Sequence, residues 1–223
     1  VKSLAGEPDS DSGNNDSAAG DQTGTEWKIR TWYNRPWNCV LRHPDRNVGN
    51  MLADLARKAA QNNLVGYDQN QRGTYWQHLK VSNYDPAQIT IKCEADCSSG
   101  VAANVKAAGY RLGIKSLQNV SADCYTGNLR AALKAAGFEV LTDSKYLTSD
   151  AYLLPGDILL YEGHHTATNL DTGSKAGSST PSTPVSGDTY TVRSGDTLSE
   201  IAAAWGVSVS DLAAYNGISN PNV

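Results

Sequence analysis

Apolar side chains at Val48, Met51, Leu52, Leu55 and Ala59 fall at the spacing of an amphipathic helix, with Asp45 placed to cap its start and Asn62-Asn63 to end it. Upstream, Trp27-Lys28-Ile29-Arg30-Thr31-Trp32-Tyr33 has the aromatic, alternating character of a strand, closed as a turn by Asn34-Arg35-Pro36-Trp37. These tryptophans read as core residues. Further helices are predicted over Gln71–Leu79, over Ser98–Ala108 with Gly109 as the stop, and over Asn128–Ala136 with Gly137 as the stop. A loop containing Pro86 joins the second helix to Cys93 and Cys97. Phe138–Leu141, Ile158–Tyr161 and Thr166–Leu170 are predicted strands of one sheet.

The ends of the chain break this pattern. Residues 1–24 are rich in Gly, Ser, Asp and Asn and poor in large apolar side chains, which predicts a poorly ordered tail. From Asp171 onward Gly, Ser, Thr and Pro dominate, so the pattern divides into a main domain over 25–172, a linker over 173–188 and a small module over 189–223. A length of 223 residues with 39% hydrophobic and 19% charged residues gives room for those two cores. The net charge of -4, with no concentration of Lys and Arg, argues against a general nucleic-acid binder. No apolar run is long enough to span a bilayer, and Val1–Gly6 is followed by polar residues instead of the apolar stretch of a signal peptide. The protein is expected to reach its target through lysis or after removal of a leader, and to act as a monomer.

Candidate chemistry lies in three short segments. Asp96-Cys97-Ser98-Ser99 opens a helix, Pro155-Gly156-Asp157 leads into Ile158–Tyr161, and Gly163-His164-His165-Thr166 follows. A cysteine attacks a carbonyl as thiolate, and a helix N-terminus and a neighbouring imidazolium both favour that form. Backbone N–H groups of the same first turn, including that of Cys97, would face a developing oxyanion. Small Gly100, Ala102 and Ala103 allow the helix to pack closely on a sheet carrying the histidine. Cys39, Cys93 and Cys124 lack this context and read as small core residues, and the spacing of the four cysteines suggests no disulfide framework. A zinc site built from His164, His165, Cys93 and Cys97 matches no structural-zinc spacing, so no metal or other cofactor is expected. His43 and His78 read as surface residues.

These three segments, in this order, resemble the papain-like cell-wall hydrolases of the NlpC and CHAP group, especially versions in phage lysins, over residues 20–172. The resemblance implies an α+β fold, with the nucleophile helix packed on an antiparallel sheet. It implies Cys97 as nucleophile and His165 as base, because His165-Thr166-Ala167 fits the family pattern better than a reading from His164. For the polar residue that orients the imidazole, Asn169 shares the strand face of His165 by period-two alternation, with Asp171 as the alternative. Tyr67, Asp68 and Gln69 would line the substrate cleft, and Asp96 and Ser98 would bind an amine or a stem-peptide amide.

Residues 189–223 carry Tyr190-Thr191-Val192-Arg193-Ser194-Gly195-Asp196-Thr197-Leu198 and Tyr215-Asn216-Gly217-Ile218 and resemble a LysM module with a βαα core. Such modules bind N-acetylglucosamine polymers, here in a groove between Gly195, Asp196, Thr197 and Leu198 on one side and Gly217 and Ile218 on the other. The second strand of a complete module is missing from the pattern, which reads as truncation. The combined expectation is a peptidoglycan hydrolase that cuts an amide in the stem peptide or cross-bridge. An endopeptidase stands ahead of an N-acetylmuramoyl-L-alanine amidase. The rival of another class is a non-catalytic wall-binding or virion scaffold.

Overall fold

The computed structural model describes residues 3–6, 27–176 and, further on, 192, 197, 198, 201, 202, 209, 212, 213 and 216–218. The chain divides into two units, one of Val1–Pro44 with Val48–Ser178 and one of Asp45–Asn47 with Ser179–Val223. In the first, six strands form one antiparallel sheet: β1 (Ser3–Gly6), β2 (Lys28–Thr31), β3 (Cys39–Arg42), β6 (Glu139–Leu141), β7 (Ile158–Tyr161) and β8 (His165–Asn169). Their spatial order is β2-β1-β8-β7-β3-β6, and β4 (Val65–Gly66) and β5 (Cys93–Glu94) make a separate parallel pair. The helices are α1 (Arg46–Gln61), α2 (Thr74–Val81), α3 (Cys97–Leu112), α4 (Lys115–Gln118), α5 (Leu129–Ala135) and α6 (Ser144–Leu147).

The strands β3, β7 and β8 are buried on both faces, and strand alternation sorts their side chains between two cores. Cys39, Leu41, Ile158 and Leu160 join the larger core with α1, α3 and α5, whereas Val40, Leu159 and Ala167 pack with Trp37 and Leu153 on the other face. The registers Val40↔Leu159 and Leu159↔Ala167 keep those residues on one side. Beneath β7, the fully buried Asp157 accepts from Arg42 Nε at 2.8 Å, Arg42 Nη2 at 2.5 Å and the Leu154 N–H at 2.8 Å. This joins the turn before the histidine strand to β3.

Several expectations need correction. Within the predicted disordered tail, Ser3–Gly6 form β1 between β2 and β8, because pairing two neighbours satisfies the backbone without any apolar pattern. Gly109 does not stop its helix: α3 runs on to Gly113, which caps it at φ 72°. Gly109 is small because α4 crosses it, and a Cβ there would lie 2.5 Å from the Gln118 backbone nitrogen. The predicted strand over Trp27–Tyr33 is shorter and ends at Thr31, while β3, α4 and α6 were not anticipated.

Candidate functional site

Cys97 is the first residue of α3 and is 7% exposed. Asp96 caps the helix: its Oδ1 accepts from the Ser99 N–H at 2.7 Å and Ser98 Oγ at 3.0 Å, while Ser99 Oγ accepts from the Asp96 N–H at 2.9 Å. This reciprocal capping box fixes the N-terminal turn. Arg72 holds it from outside, with Nε 3.2 Å from Asp96 Oδ2, and Nη2 donating to Ser98 Oγ at 3.4 Å and to the Cys124 carbonyl. One turn along, Trp27 covers Gly100 so closely that a Cβ would meet its Cη2 at 2.2 Å, and the indole N–H donates to the Gly66 carbonyl at 3.0 Å.

His165 opens β8 and is 1% exposed. Its Nε2 is 2.9 Å from the Tyr33 hydroxyl, and its ring lies 5.9 Å from that of Trp37. Burial, reinforced by the charges of Arg35 and then Arg30, holds the imidazole pKa down at about 3. Both guanidinium groups also sit on Tyr33, Arg30 at 4.4 Å and Arg35 at 5.5 Å from the ring centroid. His164 is exposed in the β7–β8 turn and stacks on Tyr161 at 4.2 Å.

The thiol and the imidazole approach the same end of the sheet from opposite faces. The registers Lys28↔Gly6 and Ala5↔Thr168 set Trp27 toward the His165 end, and Trp27 rests on the first turn of α3. Yet α3 covers the face of Leu41 and Leu160, whereas the Tyr161↔His165 and Leu159↔Ala167 pairs put His165 on the face of Trp37. The two groups could meet only across the end of β8.

The third position departs from expectation. Asn169 shares the parity of His165 but lies four residues along an extended strand, ~13 Å away. Its Nδ2 donates to the carbonyls of Leu154 at 2.8 Å and Asp171 at 2.6 Å, which ties down the far end of β8. Asp171 pairs with Arg57 at 3.1 Å. The group at the imidazole is Tyr33, in a segment read from the sequence as strand and turn. Its one sequence signal is the interleaving of Arg30 and Arg35 with aromatic residues.

Of the predicted cleft residues, Tyr67 and Asp68 are buried and Gln69 is exposed. Asp68 Oδ1 accepts from the Asn70 N–H at 2.6 Å. Asp96 and Ser98 are engaged in the cap and with Arg72, so a substrate amine at Asp96 would compete with a resident guanidinium. No disulfide joins any of the four cysteines, all of which are buried. Burial pushes the Cys93 thiol up to about 12 and raises those of Cys39 and Cys124.

In the second unit, Gly195 and Asp196 lie outside the described residues. The Thr197 carbonyl accepts from Ile201 at 3.1 Å and starts the helical turn carrying Leu198, while Ala202 and Ala213 are buried. Gly217 turns the chain at φ 67°, and the 39% exposed Ile218 donates its N–H to the Ala213 carbonyl at 2.8 Å.

A family model described as an endolysin-like domain matches residues 7–176, and a LysM domain model matches residues 190–223. No curated protein and no solved structure matches.

Proposed function

The chain belongs to the endolysin-like domain family, and from that premise we propose that it is a papain-like peptidoglycan hydrolase whose Cys97 attacks an amide in the peptide part of the wall. The endolysin-like and LysM domains together point to a peptidoglycan-binding lysin acting on the bacterial cell wall. The observation that carries the chemical reading is Cys97 at the first position of a sixteen-residue helix whose N-terminus is locked by a capping box. The helix dipole favours thiolate there, and in this reading the oxyanion forms at the helix N-terminus beside the Cys97 and Ser98 N–H groups, the Ser99 N–H being taken by Asp96.

In the proposed cycle His165 takes the thiol proton across the end of β8 and sulfur adds to the amide carbon. The C–N bond breaks as His165 returns the proton to the departing amine, and water then hydrolyses the thioester. Tyr33 serves as the orienting group. Its hydroxyl accepts from Nε2–H in both the neutral imidazole and the imidazolium, so that bond persists in both states and Nδ1 is the nitrogen that takes the thiol proton and returns it to the amine. Cleavage within the stem peptide or cross-bridge is favoured over the muramoyl amide. LysM would hold the enzyme at its substrate through the glycan and raise its local concentration there.

Mass spectrometry of soluble products tests this reading, with purified peptidoglycan treated by the intact chain and by Cys97→Ala. New amino termini inside the peptide that vanish in the variant establish an endopeptidase, and freed stem peptides beginning at L-alanine establish the amidase. If both proteins bind wall and neither releases product, the wall-binding scaffold replaces the enzyme.

A further inference from the structure

The helix end that presents Cys97 carries a charge conflict. A helix N-terminus offers roughly half a positive elementary charge, and that partial charge is what favours a thiolate there. The buried Asp96 sets a full negative charge on the same turn, with Oδ1 committed to the Ser99 N–H and to Ser98 Oγ. Helix end and cap together would sum to about minus one half, and a carboxylate beside a thiol opposes its ionisation. The group that fixes the turn by its geometry thus works against the nucleophile by its charge.

Arg72 removes that conflict. It stands in the loop between β4 and α2, and its Nε lies 3.2 Å from Asp96 Oδ2, the oxygen that the capping box does not use. Its Nη2 donates to Ser98 Oγ at 3.4 Å, so one guanidinium touches both chain neighbours of Cys97. The same nitrogen donates to the Cys124 carbonyl, which anchors the group to the segment between α4 and α5. Its charge is felt at the Cys124 thiol, where it opposes the effect of burial. The side chain is 26% exposed, a setting in which salt screens a charge less than at the open surface. Adding this cation returns the sum at the helix end to about plus one half.

We infer that Arg72 is a positioning residue for Cys97: by offsetting the Asp96 charge while holding Ser98, it lets a carboxylate cap and a thiolate share one helix end. The inference deepens the hydrolase reading and rests on it for the role of Cys97, but the charge at the thiol is measurable without turnover. The other titratable groups on segments that meet this turn are Tyr67 and Asp68 after β4, Glu94 on β5, Asp123 and Cys124 after α4, and His165 on β8. All six are common to the variants below, so differences between those variants isolate Arg72 and Asp96.

The test is the pH dependence of iodoacetamide alkylation at Cys97, read by peptide mapping, on the full chain, on Arg72→Gln and on Arg72→Gln combined with Asp96→Asn. The midpoint should rise by about one pH unit in Arg72→Gln, which is about tenfold slower labelling below it. In the double variant that rise should disappear, because asparagine caps a helix without the charge. An unmoved midpoint in Arg72→Gln overturns the proposal. A raised midpoint that Asp96→Asn leaves in place also overturns it, since Arg72 would then only brace the turn. If the glutamine variant does not fold, Asp96→Asn alone decides. That change strips the anion and leaves the guanidinium, so the midpoint should fall, and one that stays or rises refutes the inference.

Product analysis with the intact chain keeps the two ideas apart. Midpoints that move as expected in a protein that releases no product leave the positioning role standing and remove the hydrolase. Product release with an unmoved midpoint does the reverse.

Discussion

Replacing His165 by Gln should make the protein's stability less sensitive to acid, because the wild-type imidazole is 1% exposed and its pKa is held at about 3. The unfolded value is near 6.5, so between pH 6.5 and 3 the unfolded chain binds a proton that the folded chain refuses. Stability then rises with pH throughout that window. The gap of about 3.5 pH units corresponds to roughly 5 kcal/mol once pH has fallen through the folded value. At pH 4.5 only about two units of it are expressed, or roughly 3 kcal/mol. Urea unfolding of both proteins at pH 7.0 and 4.5 isolates this contribution, since the other titrating groups are common to the pair. The wild type should lose roughly 3 kcal/mol relative to His165→Gln over that interval. A difference that does not change with pH would refute the desolvated, neutral imidazole. A change of opposite sign would show that the resting enzyme holds a thiolate–imidazolium pair, because the Cys97 thiolate would raise the imidazole pKa.

Other consequences are equally measurable. Tyr33→Phe removes the hydroxyl at 2.9 Å from Nε2 while keeping the ring against Trp37, so kcat should fall by up to about tenfold with the circular dichroism spectrum unchanged. Asp157→Asn leaves the Arg42 guanidinium without its buried counter-charge and should cost about 3–5 kcal/mol in urea unfolding. Iodoacetamide at pH 8 should label Cys97 well before Cys93, whose thiol is pushed up to about 12; peptide mapping before and after Cys97→Ala checks the order.

Much of the framework was readable where packing imposes a period. The 3.6-residue repeat from Val48 to Ala59 marked α1, and the apolar run Ile158–Tyr161 marked β7. Asp96 and Ser99 announced the start of α3 because a cap is made by neighbouring residues. What escaped was set by distant partners. Cys39–Arg42 offers only four residues to a part of the sheet that is buried on both faces, too few to display alternation. Gly109 looked like a stop because nothing local tells a helix end from the crossing of another helix. At the site, alternation gave Asn169 the correct face but could not supply the distance, and Tyr33 reaches His165 over 132 positions of chain that no local pattern spans.

The placement of β1 bears on where this protein can be cut for study. The family match begins at residue 7, one position after a strand that fills the space between β2 and β8. A recombinant fragment trimmed to the matched segment would uncover two raw edges at once, one of them on the strand that opens with His165. Unpaired edges of that kind recruit other chains. Low solubility or weak activity in such a fragment would then report a missing four-residue strip of backbone and say nothing against the catalytic residues.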